Sequence, residues 1–154
     1  MDTGIDEVIE DIIDVDTPMI SIGTAAQLLG VSVHTLRMYE REGLIIPVKK
    51  DSKHRLYSHG DINRVKCIRN AINKMKFSIE SIKSIYSMIP CWTIINCSDE
   101  HRKTCKAYNI HGKPCWTYKH EDNPCAGKDC RECIVYRHYS DCNRIKEGIK
   151  YYTR

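Results

Sequence analysis

The sequence predicts a mainly α-helical chain with one small β-hairpin, followed by a small domain that needs cross-links to fold. Three observations predict it. Apolar residues recur at helical spacing in four short runs between Ile22 and Ile89. A lysine-rich tip separates two extended segments between Ile45 and Tyr57. Eight of the nine cysteines fall between Cys91 and Cys142, in a stretch with few aliphatic residues. A chain of 154 residues has room for one or two small domains.

Ile22, Ala25, Ala26 and Leu29 share one face of the first helix, and Gly30 ends it where a residue with positive φ is useful. Ser32 stands at the N-cap of the second helix, which buries Val33 and Leu36 and continues to Tyr39 or Glu40. His34, Thr35, Arg37 and Arg41 are left outward, donor-rich side chains of the kind that reach bases and phosphates. Gly43 closes this helix, and Ile45, Ile46 and Val48 predict an extended segment. Lys49, Lys50, Asp51, Ser52 and Lys53 form a polar tip, and Arg55, Leu56 and Tyr57 return as a strand. A hairpin this basic implies an anionic partner.

Ser58 caps a third helix with Asp61 three residues on, close to a capping box. Ile62, Val65, Ile68, Ile72 and Met75 give that helix its buried stripe, and Cys67 beside it reads as a small core residue. Ser78 caps a fourth helix, with Ile79, Ile82, Ile85, Tyr86 and Ile89 apolar and Pro90 at its end. In this order the parts make a winged helix-turn-helix, which lays one helix in the major groove of DNA and grips the flanking phosphates with its wing. Spacing alone would also suit a solvated helix pair with a lysine-rich loop.

The wording of the segment is more specific than its spacing. Gly30 to Leu44 (GVSVHTLRMYEREGL) and Arg55 to Ser58 (RLYS), ahead of a helix opening at Asp61-Ile62, resemble the DNA-binding domain of the MerR family of transcription regulators. The resemblance runs from Ile20 to about Ile89, and its start is similar to the heat-shock-repressor branch. It implies that His34, Thr35, Arg37 and Tyr39 face DNA, and that Lys49, Lys50, Lys53, His54, Arg55 and Tyr57 do so from the wing. Thr35 and Arg37 would read bases, while Tyr39 and the wing cations would hold phosphates. It implies a homodimer on double-stranded promoter DNA at a pseudo-palindromic site, changing its bend and twist, with RNA polymerase a further partner at the promoter. Met38 stands where an aromatic is common, Lys53-His54 replaces a usual Gly-Tyr, and the wing is about one residue short. These departures bear on base preference. A long dimerising helix would normally follow, yet nothing between Cys91 and Cys142 has heptad spacing.

A self-similar tail takes its place. Pro90-Cys91-Trp92-Thr93 recurs as Pro114-Cys115-Trp116-Thr117, Cys105-Lys-Ala-Tyr108 recurs as Cys133-Ile-Val-Tyr136, and Cys97 matches Cys125. The repeat predicts two pseudo-equivalent half-sites. It also resembles small bacterial cysteine modules with paired Cys-Trp motifs, which names no ligand. Cys91, Cys97, Cys105, Cys115, Cys125, Cys130, Cys133 and Cys142 are candidate metal ligands, because thiolates serve both iron–sulfur clusters and zinc. So polar a segment could hardly fold without such cross-links. Disulfides and free redox-sensing thiols are the alternatives. With no secretory leader before the acidic start, a DNA reader in the reducing cytoplasm has little use for stable disulfides, and eight thiols exceed what a switch requires. Cys130 and Cys133 form the one Cys-x-x-Cys pair, fewer than zinc ribbons show, and Trp92 and Trp116 could shield a cluster from water. The balance leans from zinc towards an iron–sulfur cluster. His101, His111, His120 and His138 could complete a mixed site but read more simply as surface histidines.

The expected organisation is an acidic segment over 1–17, the winged helix-turn-helix over 18–89, the metal-stabilised cysteine-rich domain over 90–142 and a short basic helix or tail over 143–154. Residues 1–16 carry seven acids and no Lys or Arg, leaving 24 basic against 13 acidic side chains in the remainder. A basic body suits a polyanion, although charge alone could equally serve solubility. Ile5, Val8, Ile9, Ile12 and Ile13 form an apolar stripe within the acidic start, fitting a docking helix or a disordered tail. No segment is long and apolar enough to span a membrane. No Ser-His-Asp set, phosphate loop or carboxylate pair points to an enzyme. The expected function is a sequence-specific transcription regulator that senses metal or redox status through its tail. The alternative is an architectural or recombination accessory factor with a purely structural zinc site.

Overall fold

The computed structural model describes residues 15–50 and 53–153, so the apolar stripe from Ile5 to Ile13 lies outside the described residues. The chain opens with β1 (Ile20–Ser21) and α1 (Ile22–Leu29), then α2 (Val33–Arg41), the wing strands β2 (Val48–Lys49) and β3 (Arg55–Tyr57), α3 (His59–Asn73) and α4 (Ile79–Ser87). Short turns of helix follow: α5 (Cys91–Ile94), α6 (Asp99–Thr104), α7 (Lys106–Asn109), single 3₁₀ turns at Cys115–Thr117 and Cys130–Glu132, and a π-helical turn at Val135–Tyr139. The last element is α8 (Ile145–Tyr152).

The helix ends follow from their caps. Ser32 Oγ accepts from Thr35 N–H at 3.0 Å, and Gly30 takes the left-handed conformation (φ 64°) that turns α1 into α2. Ser58 and Asp61 form a complete capping box at α3, with Asp61 N–H donating to Ser58 Oγ and Ser58 N–H donating to Asp61 Oδ2. Ser78 caps α4. The stripe of α3 ends earlier than its spacing predicts, because the helix stops at Asn73 and Met75 is 58% exposed.

The hairpin is part of a three-stranded antiparallel sheet with order β1-β3-β2, in which Ile20 pairs with Tyr57 and Val48 with Leu56. The third strand was not legible, since two residues carry no alternation. Lys53 stands at the wing tip with φ 62°, the position where glycine is usual, and its N–H closes the turn onto Lys50 O at 2.8 Å.

The core gathers Ala25, Leu36, Tyr39, Leu44, Tyr57, Ile62, Val65, Ile68, Ile82, Tyr86 and Ile89 from α1 to α4 and the sheet. Val135, from the cysteine-rich tail, is buried in the same cluster. The tail therefore packs back onto the helix-turn-helix instead of extending away from it. Among the described residues the longest helix is the 15-residue α3, so no long dimerising helix occurs there.

Candidate functional site: a basic face joined to a thiol cavity

The α2 helix presents His34 and Arg37 to solvent with Thr35 half-buried beside them, and Arg41 is exposed at its end. Lys49, Lys50, Lys53 and His54 are exposed on the wing. These exposed side chains are the candidate cationic surface. Two tyrosines do not belong to it. Tyr39 is 1% exposed because it lies three residues after Leu36 on the inward stripe, and its hydroxyl accepts from Arg69 Nη1 at 3.4 Å. Tyr57 is 0% exposed, directed into the core from β3, and burial with Glu40 nearby pushes its phenol up to about 12. Both are packing residues, which corrects the expectation that they face DNA. Glu40 was missed: it pairs with Lys49 at 3.2 Å and with Arg55, so two of the wing cations are partly neutralised within the domain.

Seven cysteines line one cavity of about 30 Å³: Cys91, Cys97, Cys105, Cys115, Cys125, Cys130 and Cys133. The duplication explains the convergence. Cys91 and Cys115, equivalent in the two repeats, line it together and perturb each other's thiols, and Cys97 and its equivalent Cys125 line it as well. Each repeat also places its tryptophan edge-on to its own Cys-x-x-Tyr tyrosine. Trp92 meets Tyr108 at 5.3 Å and 83°, and Trp116 meets Tyr136 at 5.2 Å and 84°. The two units thus close around a common cavity, to which each repeat contributes cysteines.

Cys142 is not at this cavity. Its sulfur is bonded to Cys67 of α3, with Cα atoms 6.3 Å apart, and this disulfide closes a separation of 75 residues. That corrects two expectations, since Cys67 is half-buried and cross-linked instead of a free core residue. His101 and His120 line the cavity, but both ring nitrogens of His120 are engaged, by Cys115 O at 2.8 Å and Asn123 Nδ2 at 3.2 Å. His138 lies in a separate cleft, against Arg144.

The Cys91 thiol raises the Cys115 thiol well above its ordinary value, reinforced by burial, and the Cys115 thiol lowers Cys91. Burial, with Cys97 nearby, pushes Cys125 up to about 12. In reduced, metal-free protein at neutral pH, Cys91 is therefore expected to be alkylated ahead of Cys125, as mass spectrometry of the labelled peptides would read. Equal labelling would contradict this order of reactivity.

Among the described residues, no three His, Cys, Asp or Glu side chains sit in coordinating geometry around one point. By chemistry the donor set still fits a thiophilic group: seven sulfurs face one space, and no acidic side chain lines it. To ligate, the sulfurs would have to draw in.

The module is tied to the reader by groups that sequence reasoning missed. Arg131, between Cys130 and Cys133, is 6% exposed and reaches both oxygens of Asp61, at 3.1 and 2.8 Å. Trp116 Nε1–H donates to Gly43 O at 2.6 Å, and Tyr136 Oη accepts from Ile46 N–H at 2.8 Å. Arg64 of α3 stacks 3.8 Å from the Tyr136 ring and donates to Tyr136 O. Gly43 has φ 76°, and a Cβ there would collide with Thr117, so this approach needs glycine on two counts.

Residues 20–88 match the model of MerR HTH family regulatory proteins. The HTH-type transcriptional regulator HmrR of Sinorhizobium medicae (strain WSM419) is 38% identical over 69 residues, covering 44% of this chain and 46% of that protein. A mercuric resistance operon regulatory protein of Pseudomonas fluorescens is 34% identical over 67 residues, 43% of this chain and 46% of that protein. A putative heat shock protein HspR of Streptomyces coelicolor (strain ATCC BAA-471 / A3(2) / M145) is 34% identical over 73 residues, 47% and 48% of the two chains. The chain spans about half the length of the curated relatives it matches. Its N-terminal region is a MerR-family helix-turn-helix domain, and the cysteine-rich segment from Cys91 lies beyond the matched residues.

Proposed function

We propose that the chain is a sequence-specific DNA-binding transcription regulator whose cysteine module binds a metal centre and senses metal or redox status. One observation carries this reading. The thiol cavity is built into the same packed unit as the DNA-reading domain, with Val135 of the module in the reader's core. Relatives named as a mercuric resistance operon regulator and an HTH-type transcriptional regulator set the precedent for the reader. A bound metal would supply a cross-link that depends on metal supply or oxidation, in a segment with little apolar core of its own. Iron–sulfur and zinc centres both suit the thiol set. The protein would act in the cytoplasm as a homodimer at a pseudo-palindromic promoter, alongside RNA polymerase.

In the DNA-binding step, Arg37, Thr35 and His34 enter the major groove while Lys50, Lys53 and His54 meet the backbone. Arg37→Ala is expected to remove about 1–3 kcal/mol of discrimination between sequences. Lys50→Ala should weaken all sequences alike and reduce the salt slope by about 1. Titrations of a selected duplex and a scrambled one across salt concentrations separate the two, and identical behaviour of the variants would contradict the assignment. Anaerobic purification with metal analysis and a visible spectrum tests the centre. Iron and sulfide in a brown protein indicate a cluster, stoichiometric zinc in a colourless one indicates zinc, and a metal-free protein contradicts the reading.

A further inference from the structure

We infer that the segment Gly43–Ile46, which joins the recognition helix to the wing, is where the cysteine cluster acts on the DNA-binding surface, with Trp116, Arg131 and Tyr136 as the positioning residues. The inference rests on the proposal above that the cluster is a regulatory metal site. Three side chains of the module hold this one short segment. Trp116 Nε1–H donates to Gly43 O at 2.6 Å, Tyr136 Oη accepts from Ile46 N–H at 2.8 Å, and Arg131 Nη1 donates to Ile46 O. Each sits close in sequence to a cavity cysteine: Trp116 follows Cys115, Arg131 lies between Cys130 and Cys133, and Tyr136 is three residues after Cys133. A change in the positions of those sulfurs therefore reaches the segment through at most three residues of backbone.

The middle of the segment and two of the three side chains that hold it are buried, while the contacts themselves are part-buried. Leu44 is 0% exposed, Ile45 2%, Tyr136 3% and Arg131 6%. Asp61 fixes the guanidinium from the other side, and the α3 capping box fixes Asp61. What the segment controls is geometric. It sets the separation of Arg37 on α2 from Lys50 on the wing, and DNA binding needs both to meet one groove and its flanking phosphates together. Among the described residues, the first repeat makes no such hydrogen bond to the segment. Its Trp92 instead receives Arg102 at its own carbonyl, within the module. Both repeats pack against the core, the first through Ile94 and Ile95, but the hydrogen bonds to Gly43 and Ile46 come from the second.

The test uses full-length protein, anaerobic and reduced, with Cd²⁺ as probe. Uptake is read from the ultraviolet thiolate-to-metal charge-transfer band and from the loss of titratable thiols, and the response from amide hydrogen exchange of residues 44–49. In wild type, Cd²⁺ should slow exchange there by at least about fivefold, the lower end of ordinary coupling between sites. Tyr136→Phe keeps its ring and loses only the hydroxyl contact to the segment, whereas Trp116→Phe loses the indole N–H together with part of its packing on Tyr86 and Tyr136; both should fold and take up Cd²⁺ with the exchange response abolished or strongly reduced. Arg131→Lys should do the same by losing the guanidinium fork. Wild type that takes up Cd²⁺ with unchanged exchange at 44–49, or variants that respond as wild type does, would overturn the inference. Wild type that takes up no Cd²⁺ would overturn the metal-site proposal and this inference with it; uptake is read separately, so the two failures are distinguishable.

Discussion

Asp61→Ala is expected to lower the stability of the protein by about 3–5 kcal/mol, because it strands a buried guanidinium. Asp61 is 4% exposed and Arg131 6%, and the pair is bidentate. Without the carboxylate, Arg131 keeps Ile46 O as an acceptor, and its charge remains out of water. The same substitution opens the capping box of α3, leaving Ser58 N–H without its acceptor, a further loss of about 1 kcal/mol. Urea denaturation should show a lower midpoint with an unchanged slope. The double variant Asp61→Ala/Arg131→Met should be more stable than Asp61→Ala alone, since the uncompensated charge is gone. A loss below about 1 kcal/mol in the single variant would be the value of an exposed ion pair, and would contradict the burial of this one.

Reduction of the Cys67–Cys142 disulfide is the second large effect. The bond ties α3 of the reader to the end of the cysteine-rich segment across 75 residues. Loop-closure entropy puts its contribution at about 4 kcal/mol. Denaturation with and without a strong reductant should show this difference in the native protein and none in Cys67→Ser, which should already have the lower midpoint. A native protein indifferent to reductant would contradict the pairing. In a reducing compartment such a bond would be transient and responsive, and would add a redox-dependent tie between the two parts to the metal-dependent one proposed above.

The reader was legible because its signals are local. Gly30, Ser32, Ser58 and Ser78 mark helix ends by capping chemistry that depends on three or four neighbouring residues. The outward set on α2 followed from the apolar spacing of Leu36, and Arg37 and His34 are where that spacing puts them. Tyr39 and Tyr57 were misplaced because the resemblance assigned them by position, whereas the core took them by size and register. In the tail, the duplicated Cys-Trp motif forecast that the cysteines form equivalent sets, and seven of them meet. Spacing could not say that Cys142 would leave the set for Cys67, because that choice depends on where α3 lies. Nor does an arginine within a Cys-x-x-Cys signal a buried partner 70 residues earlier in the chain.

The most direct test measures DNA affinity on a single reduced preparation before and after its cysteine-bound metal is removed by a chelator, then after the metal is restored. The expected result is a reversible change of at least about fivefold, with the module's metal content following it. An affinity that stays constant while the metal leaves and returns would contradict a sensing role for the cysteine module.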